Sequence, residues 1–165
     1  MTARLPDWER RLNAFLAQPF VFEWGAMDCA LFACAAVEAL TGAHPYPEFL
    51  GVYSDRIGAA RALRELGKGT LEATFGQKFA EVPPGFARRG DVVMATDGAM
   101  GVCVGASAVF LAEEGGLIRL PRATSTRARP RAPPRRASPP SPPASPLAGR
   151  RAALGARARG PLRAP

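Results

Sequence analysis

Histidine is almost missing from this chain, cysteine is sparse, and no aromatic residue occurs after residue 121. The single histidine, His44, and the three cysteines, Cys29, Cys34 and Cys103, include no Cys-x-x-Cys or His-x-x-x-His pair. Cys29 and Cys34 would also project from different sides of one helix, so the ordinary zinc arrangements are excluded. Neither a Walker loop nor a Gly-x-Gly-x-x-Gly turn is present, which removes the common phosphate and dinucleotide cradles. No cofactor is implied. The longest uncharged apolar run, residues 99–112, has 14 residues and contains Gly101 and Gly105. A membrane helix needs roughly 20. The first residues have no basic-then-apolar signal pattern. The expectation is therefore a protein that is cytoplasmic as synthesised, with reduced thiols.

Acidic residues and lysine are absent beyond residue 121, where 11 arginines stand among Ala, Pro, Ser, Thr, Gly and Leu. The net charge of the whole chain is +8, so residues 1–121 carry −3 and the basic character belongs to residues 122–165 alone. That segment holds ten of the 17 prolines. It lacks the apolar surface that would offset its conformational entropy, and it is expected to be a disordered tail. Its composition is also that of GC-rich DNA translated in a shifted frame, so a natural Arg/Pro-rich tail and a frameshift product both fit. Nucleic acid could be held by such a tail only non-specifically, through phosphates.

The remainder reads as one domain, residues 5–121. Pro6 and Asp7 can open a helix with Trp8, Leu12, Phe15 and Leu16 on one face, ended by Pro19. Asp28 is a natural N-cap for a nearly all-apolar run over 29–40, stopped by Thr41 and Gly42. Such a helix belongs in the centre of a fold. A third helix is expected over 55–66, with Ile57, Ala60, Leu63 and Leu66 in register, and one more helical turn over 71–75. Then the period shortens. Segments 78–82, 91–95, 100–105, 108–112 and 117–120 are short, rich in Val, Ile and Phe, and separated by turn residues. Helices first and strands afterwards predict an α+β fold with the buried helix packed on a small antiparallel sheet or barrel.

Cys29 would follow the N-cap, where backbone N–H groups and the helix dipole favour an anion, a setting that lowers a thiol pKa. It is the candidate nucleophile. Cys34 and Cys103 read as core residues. A base is harder to find, because His44 lies beyond the far end of the same helix, about 18–20 Å away at ~1.5 Å per residue. Arg89-Gly90-Asp91 spells an adhesion tripeptide, but in this chain it reads as a turn entering a strand.

Three landmarks in order carry a resemblance. They are Trp24-Gly25 with Asp28-Cys29 at the head of the apolar helix, Arg89-Gly90-Asp91-Val92-Val93, and Met100-Gly101-Val102-Cys103-Val104-Gly105. Together they resemble the NlpC-type papain-fold cysteine peptidases, and more closely a family of short proteins from phages, prophages and gene-transfer agents. The resemblance implies a papain-like fold in which Cys29 matches the nucleophile and Asp28 the acid before it. Trp24 and Gly25 become candidate binding residues. The catalytic histidine of active members would stand at about Ala99, and the only ionisable side chain of that turn is Asp97, a poor substitute for imidazole. Two functions follow from the resemblance: a phage-tail-associated structural or binding module without an intact Cys–His pair, or a cysteine peptidase acting on cell-wall peptides. The partners implied are phage tail proteins or peptidoglycan, and the place implied is a phage-like particle.

Overall fold

The computed structural model describes residues 3–122 and 125–129. Four helices, α1 (Trp8–Leu16), α2 (Cys29–Thr41), α3 (Arg56–Glu65) and α4 (Leu71–Gly76), precede five strands. The strands are β1 (Val92–Ala95), β2 (Met100–Cys103), β3 (Ser107–Leu111), β4 (Leu117–Pro121) and β5 (Ser125–Arg129). Among the described residues no helix is long and apolar enough to cross a membrane.

Helix α2 is the centre of the domain, as its all-round apolarity requires. Gly42, at φ 76°, closes it in the left-handed conformation that an L side chain rarely adopts. One side of the helix, Phe32, Ala36 and Leu40, meets Leu12 and Phe15 of α1 and Val102, Val109 and Leu111 of the sheet. The other, Leu31, Cys34 and Val37, packs with Tyr46, Phe49, Phe75 and Phe79 and with Val92, Met94 and Met100. Each large side chain removed from water in this way contributes roughly 1.5–3 kcal/mol before entropy is counted. The expected face of α1 is the face that packs: Leu12 and Phe15 are buried, and Trp8 and Leu16 lie against the same cluster.

The strands form one antiparallel sheet in the order β4-β3-β2-β1-β5. Strand β1 alternates as a doubly covered strand should. Val92 and Met94 face α2, while Val93 and Ala95 join Cys103, Ala108 and Phe110 on the opposite face. That opposite face is lined with small residues, Ala87, Ala95, Cys103 and Ala108. Curling explains the need for them. Three residues separate β4 from β5, a reach of at most about 14 Å of chain. Four flat strand-to-strand steps would need about 19 Å.

Three expectations are corrected. Residues 125–129 belong to the sheet: Val92 pairs with Arg129 and Ala95 with Ser125, with a bulge between Met94 and Ala95. The domain therefore runs past residue 121, because backbone pairing with the open edge of β1 needs no apolar side chains. Residues 130–165, the rest of the expected disordered tail, lie outside the described residues. Secondly, 78–82 is not a strand. The amides of Lys78 and Phe79 donate back to the Phe75 carbonyl at 3.1 and 3.0 Å, prolonging the turn after α4, and Pro83 follows. Thirdly, the buried face of α3 is rotated from the one expected. Ala62 is buried while Ile57 is 73% exposed, and Ala60 and Leu66 are exposed too.

The Arg-Gly-Asp tripeptide is a buried structural turn. Asp91, 2% exposed, accepts from Arg4 Nη2 at 2.9 Å and from the Arg88 amide at 2.8 Å. Arg4 also donates to the Arg89 carbonyl at 2.9 Å and lies over the Trp8 ring. Breaking such a pair from one side strands a charge, so Asp91→Ala is expected to cost about 3 kcal/mol, read from denaturant unfolding. Asp91→Ala unfolding at the wild-type midpoint would show that the turn is held by other contacts.

Candidate functional site

The site begins with a turn. Glu23 and Met27 exchange backbone hydrogen bonds at 3.1 and 2.8 Å, and Gly25 sits between them at φ 77°. A Cβ on Gly25 would come within 1.8 Å of the Tyr53 carbonyl oxygen, and the Gly25 carbonyl accepts from Gly51 at 2.8 Å. Gly25 is thus required by close approach of two backbones, a structural duty rather than a binding one. Trp24 lies edge-on to Phe22, ring centres 5.1 Å apart.

Asp28, 2% exposed, caps α2 with one oxygen and ties the neighbourhood together with the other. Oδ1 accepts from the amides of Ala30 and Leu31, both at 3.0 Å. Oδ2 accepts from the Gly25 amide at 3.1 Å and from Tyr53 Oη at 2.6 Å. With four donors satisfied, this carboxylate has a positioning duty and no lone pair directed at a reacting group. The phenol of Tyr53 is pushed far above its ordinary range, by burial first and then by the Asp28 carboxylate it donates to. It stays a donor at any ordinary pH.

Cys29 occupies the first position of α2, half-buried. Its thiol is pushed up, not down. Burial is the main cause; the Asp28 and Asp97 carboxylates add to it, and backbone hydrogen bonds from Met100 and Ala30 oppose it. The expected lowering at a helix start fails for a physical reason. Burial outweighs the help of the Met100 and Ala30 backbone hydrogen bonds, and Asp28 brings a negative charge to the same place. Cys34 and Cys103 are buried, as their positions in the sequence suggested, and burial also raises the Cys34 thiol.

The antiparallel meander puts alternate turns at one end of the sheet. The β1–β2 turn, with Asp97 and Ala99, and the β3–β4 turn, with Glu113 and Glu114, therefore lie beside the start of α2. A cavity of about 660 Å³ opens among them, lined by Trp24, Asp28, Cys29, Asp97, Ala99 and Tyr53, with Phe22, Arg56, Leu63, Glu113 and Glu114 on its walls. The Ala99 position lines the same cavity as Cys29. Exposed Asp97 turns inward on its own loop, Oδ1 accepting from the Ala99 amide at 2.9 Å. His44 is not among the lining residues. It follows the opposite end of α2, its Nδ1 accepts from the Tyr46 amide at 3.2 Å, and burial lowers its pKa. Among the described residues no three His, Cys, Asp or Glu side chains are grouped to hold a metal ion.

Of the residues singled out in the sequence, Cys29, Asp28, Asp97 and Trp24 come together, and Gly25 supports them from behind. Tyr53, Arg56, Glu113 and Glu114 had been passed over. Tyr53 is 25 residues from its partner and carries no local signal. The glutamates could have been placed by counting hairpins, since second-neighbour turns share an end.

A family model described as a domain of unknown function, DUF6950, matches residues 3–128. The chain belongs to that family. The DUF6950 match ends within β5 and so takes in the whole cavity. No curated protein and no solved structure matches the chain.

Two outcomes are expected from this geometry. Because the pKa is raised, Cys29 should hold its proton through neutral pH and react with iodoacetamide more slowly than N-acetylcysteine at pH 7. The rate should climb only above the ordinary thiol range of about 8.5. Peptide mapping against pH reads this, and a rate at pH 7 above that of the free thiol would contradict it. Tyr53→Phe should lower stability by about 2 kcal/mol, the value of a hydrogen bond to a buried carboxylate, without moving the ring. An unchanged unfolding midpoint would show that water replaces the phenol.

Proposed function

We propose that this member of DUF6950 is a papain-like module related to the NlpC-type peptidases that binds where those enzymes cut. In this reading it is a phage- or prophage-derived, tail-associated protein working in a particle. One observation carries the loss of catalysis: the turn facing Cys29 offers Ala99 and Asp97 and no imidazole. Cleaving an amide through a thiol requires a group to take the thiol proton and return it to the leaving amine. Asp28 is consumed by four donors, Asp97 is turned toward its own loop, and a raised thiol makes the first proton transfer harder.

The scaffold is kept although the dyad is not. The cap, the buried helix and the cavity remain, and a cavity walled by aromatic rings with a few polar groups has the character of a binding site. The papain-like reading rests on the resemblance of the three landmarks together with an apolar helix packed on an antiparallel sheet.

Purified peptidoglycan separates the two functions. The expected result is no release of soluble peptide above that of Cys29→Ala, with the protein recovered in complexes with tail proteins when expressed beside them. Release that disappears in Cys29→Ala would overturn the proposal in favour of an active peptidase. The proposed register can be tested by restoring what is absent. Ala99→His should bring an imidazole to the Cys29 thiol and raise its alkylation rate at pH 7 about tenfold. No change in that rate would remove the papain-like correspondence.

A further inference from the structure

The charge of the cavity points to its occupant. Among the described residues its ionisable lining, thiols and phenols aside, comprises four carboxylates, Asp28, Asp97, Glu113 and Glu114, and one cation, Arg56. Asp28 is internally satisfied. The other three acids come from two turns at the same end of the sheet, so negative charge is concentrated at one rim. The walls below are apolar and aromatic, with Phe22, Trp24, Tyr53 and Leu63. A low-dielectric wall beneath a one-signed rim strengthens the field at the mouth. Trp24 additionally presents a ring of the kind that attracts ammonium and guanidinium groups.

We propose that this cavity binds an extended basic segment of a protein partner, with a Lys or Arg side chain reaching the Asp97–Glu113–Glu114 rim and an apolar neighbour against Trp24 and Tyr53. The inference rests on the reading of the site as one that binds rather than cleaves. Among the described residues the two turns at this rim carry acids and no cation, and the one cation of the lining, Arg56, stands on α3. The volume, about 660 Å³, accommodates a few residues of peptide rather than a folded domain. Affinity for so short a segment should be modest and salt-sensitive, because the acids are at the surface.

Trp24 supplies the readout. In a Trp8→Phe background, which leaves Trp24 as the one tryptophan of the chain, hexapeptides Ac-Ala-Leu-Lys-Leu-Lys-Ala-amide and the same sequence with Glu for Lys are titrated by fluorescence. The lysine peptide is expected to bind at least tenfold more tightly than the glutamate peptide, with affinity falling several-fold between low salt and 0.5 M. Glu113→Gln/Glu114→Gln and Asp97→Asn should each weaken it about three- to tenfold while leaving the unfolding midpoint unchanged. Asn at 97 keeps the oxygen that accepts from the Ala99 amide. Equal binding of the two peptides, binding insensitive to the rim variants, or no binding of either would each overturn the proposal. Those results would leave the absence of catalysis standing, since that reading fails only if Cys29-dependent release from peptidoglycan is seen.

Discussion

Everything around the cavity depends on one buried carboxylate. Asp28 joins three pieces of chain: the Gly25 turn, the first turn of α2 and Tyr53. A charge 2% exposed is tolerable only with such a set of donors, and each donor is in turn fixed by being needed. Gly25 must be glycine because the Tyr53 backbone lies against it, and Gly51 bonds to the Gly25 carbonyl. The apolar helix can then be driven into the centre of the domain with its beginning already satisfied. Its far end is closed by Gly42 and pinned by the Leu5 amide, which donates to the Leu40 carbonyl at 2.9 Å.

The same carboxylate bears on the chemistry open to Cys29. Burial is the main obstacle to a thiolate there, and the charge of the cap, one residue away, adds to it. Asp97 adds a further negative charge from across the cavity. A thiol in this position needs a cation or an imidazole to become a nucleophile near neutral pH. The β1–β2 turn that shares the cavity with it carries Asp97, Gly98 and Ala99 and supplies neither. The carboxylates beside Cys29 thus add to burial in keeping the thiol protonated.

What could be read from the chain alone followed from local rules. Helix α2 was legible at both ends because Asp28 and Gly42 punctuate a run with no competing period, and the β1 to β4 hairpins because turn residues separate short apolar segments. The misreadings arose where a distant partner decides. Segment 78–82 has the composition of a strand, yet the Phe75 carbonyl claims its first amides. Ile57 fits a helical stripe, but the face of α3 that packs is the one bearing Ala62. Strand β5 has no apolar pattern at all, because its place is set by backbone pairing with β1. In the site, Asp28 and Cys29 announced themselves by position. Tyr53, Glu113 and Glu114 became visible only when the topology brought their loops to the same end.

The meander also divides the domain into two unequal economies of change. Turns joining β1 to β2 and β3 to β4 border the cavity, whereas the turn between β2 and β3 emerges at the opposite end, where Arg89 donates to the Val104 carbonyl and Arg122 to that of Ala87. Insertions or charge changes in the first pair would reshape the cavity without disturbing the interior. Equivalent changes at the other end would disturb these two hydrogen bonds and leave the cavity lining unchanged. Alternate hairpins are thus where the sequence can vary around the cavity at least cost to the fold.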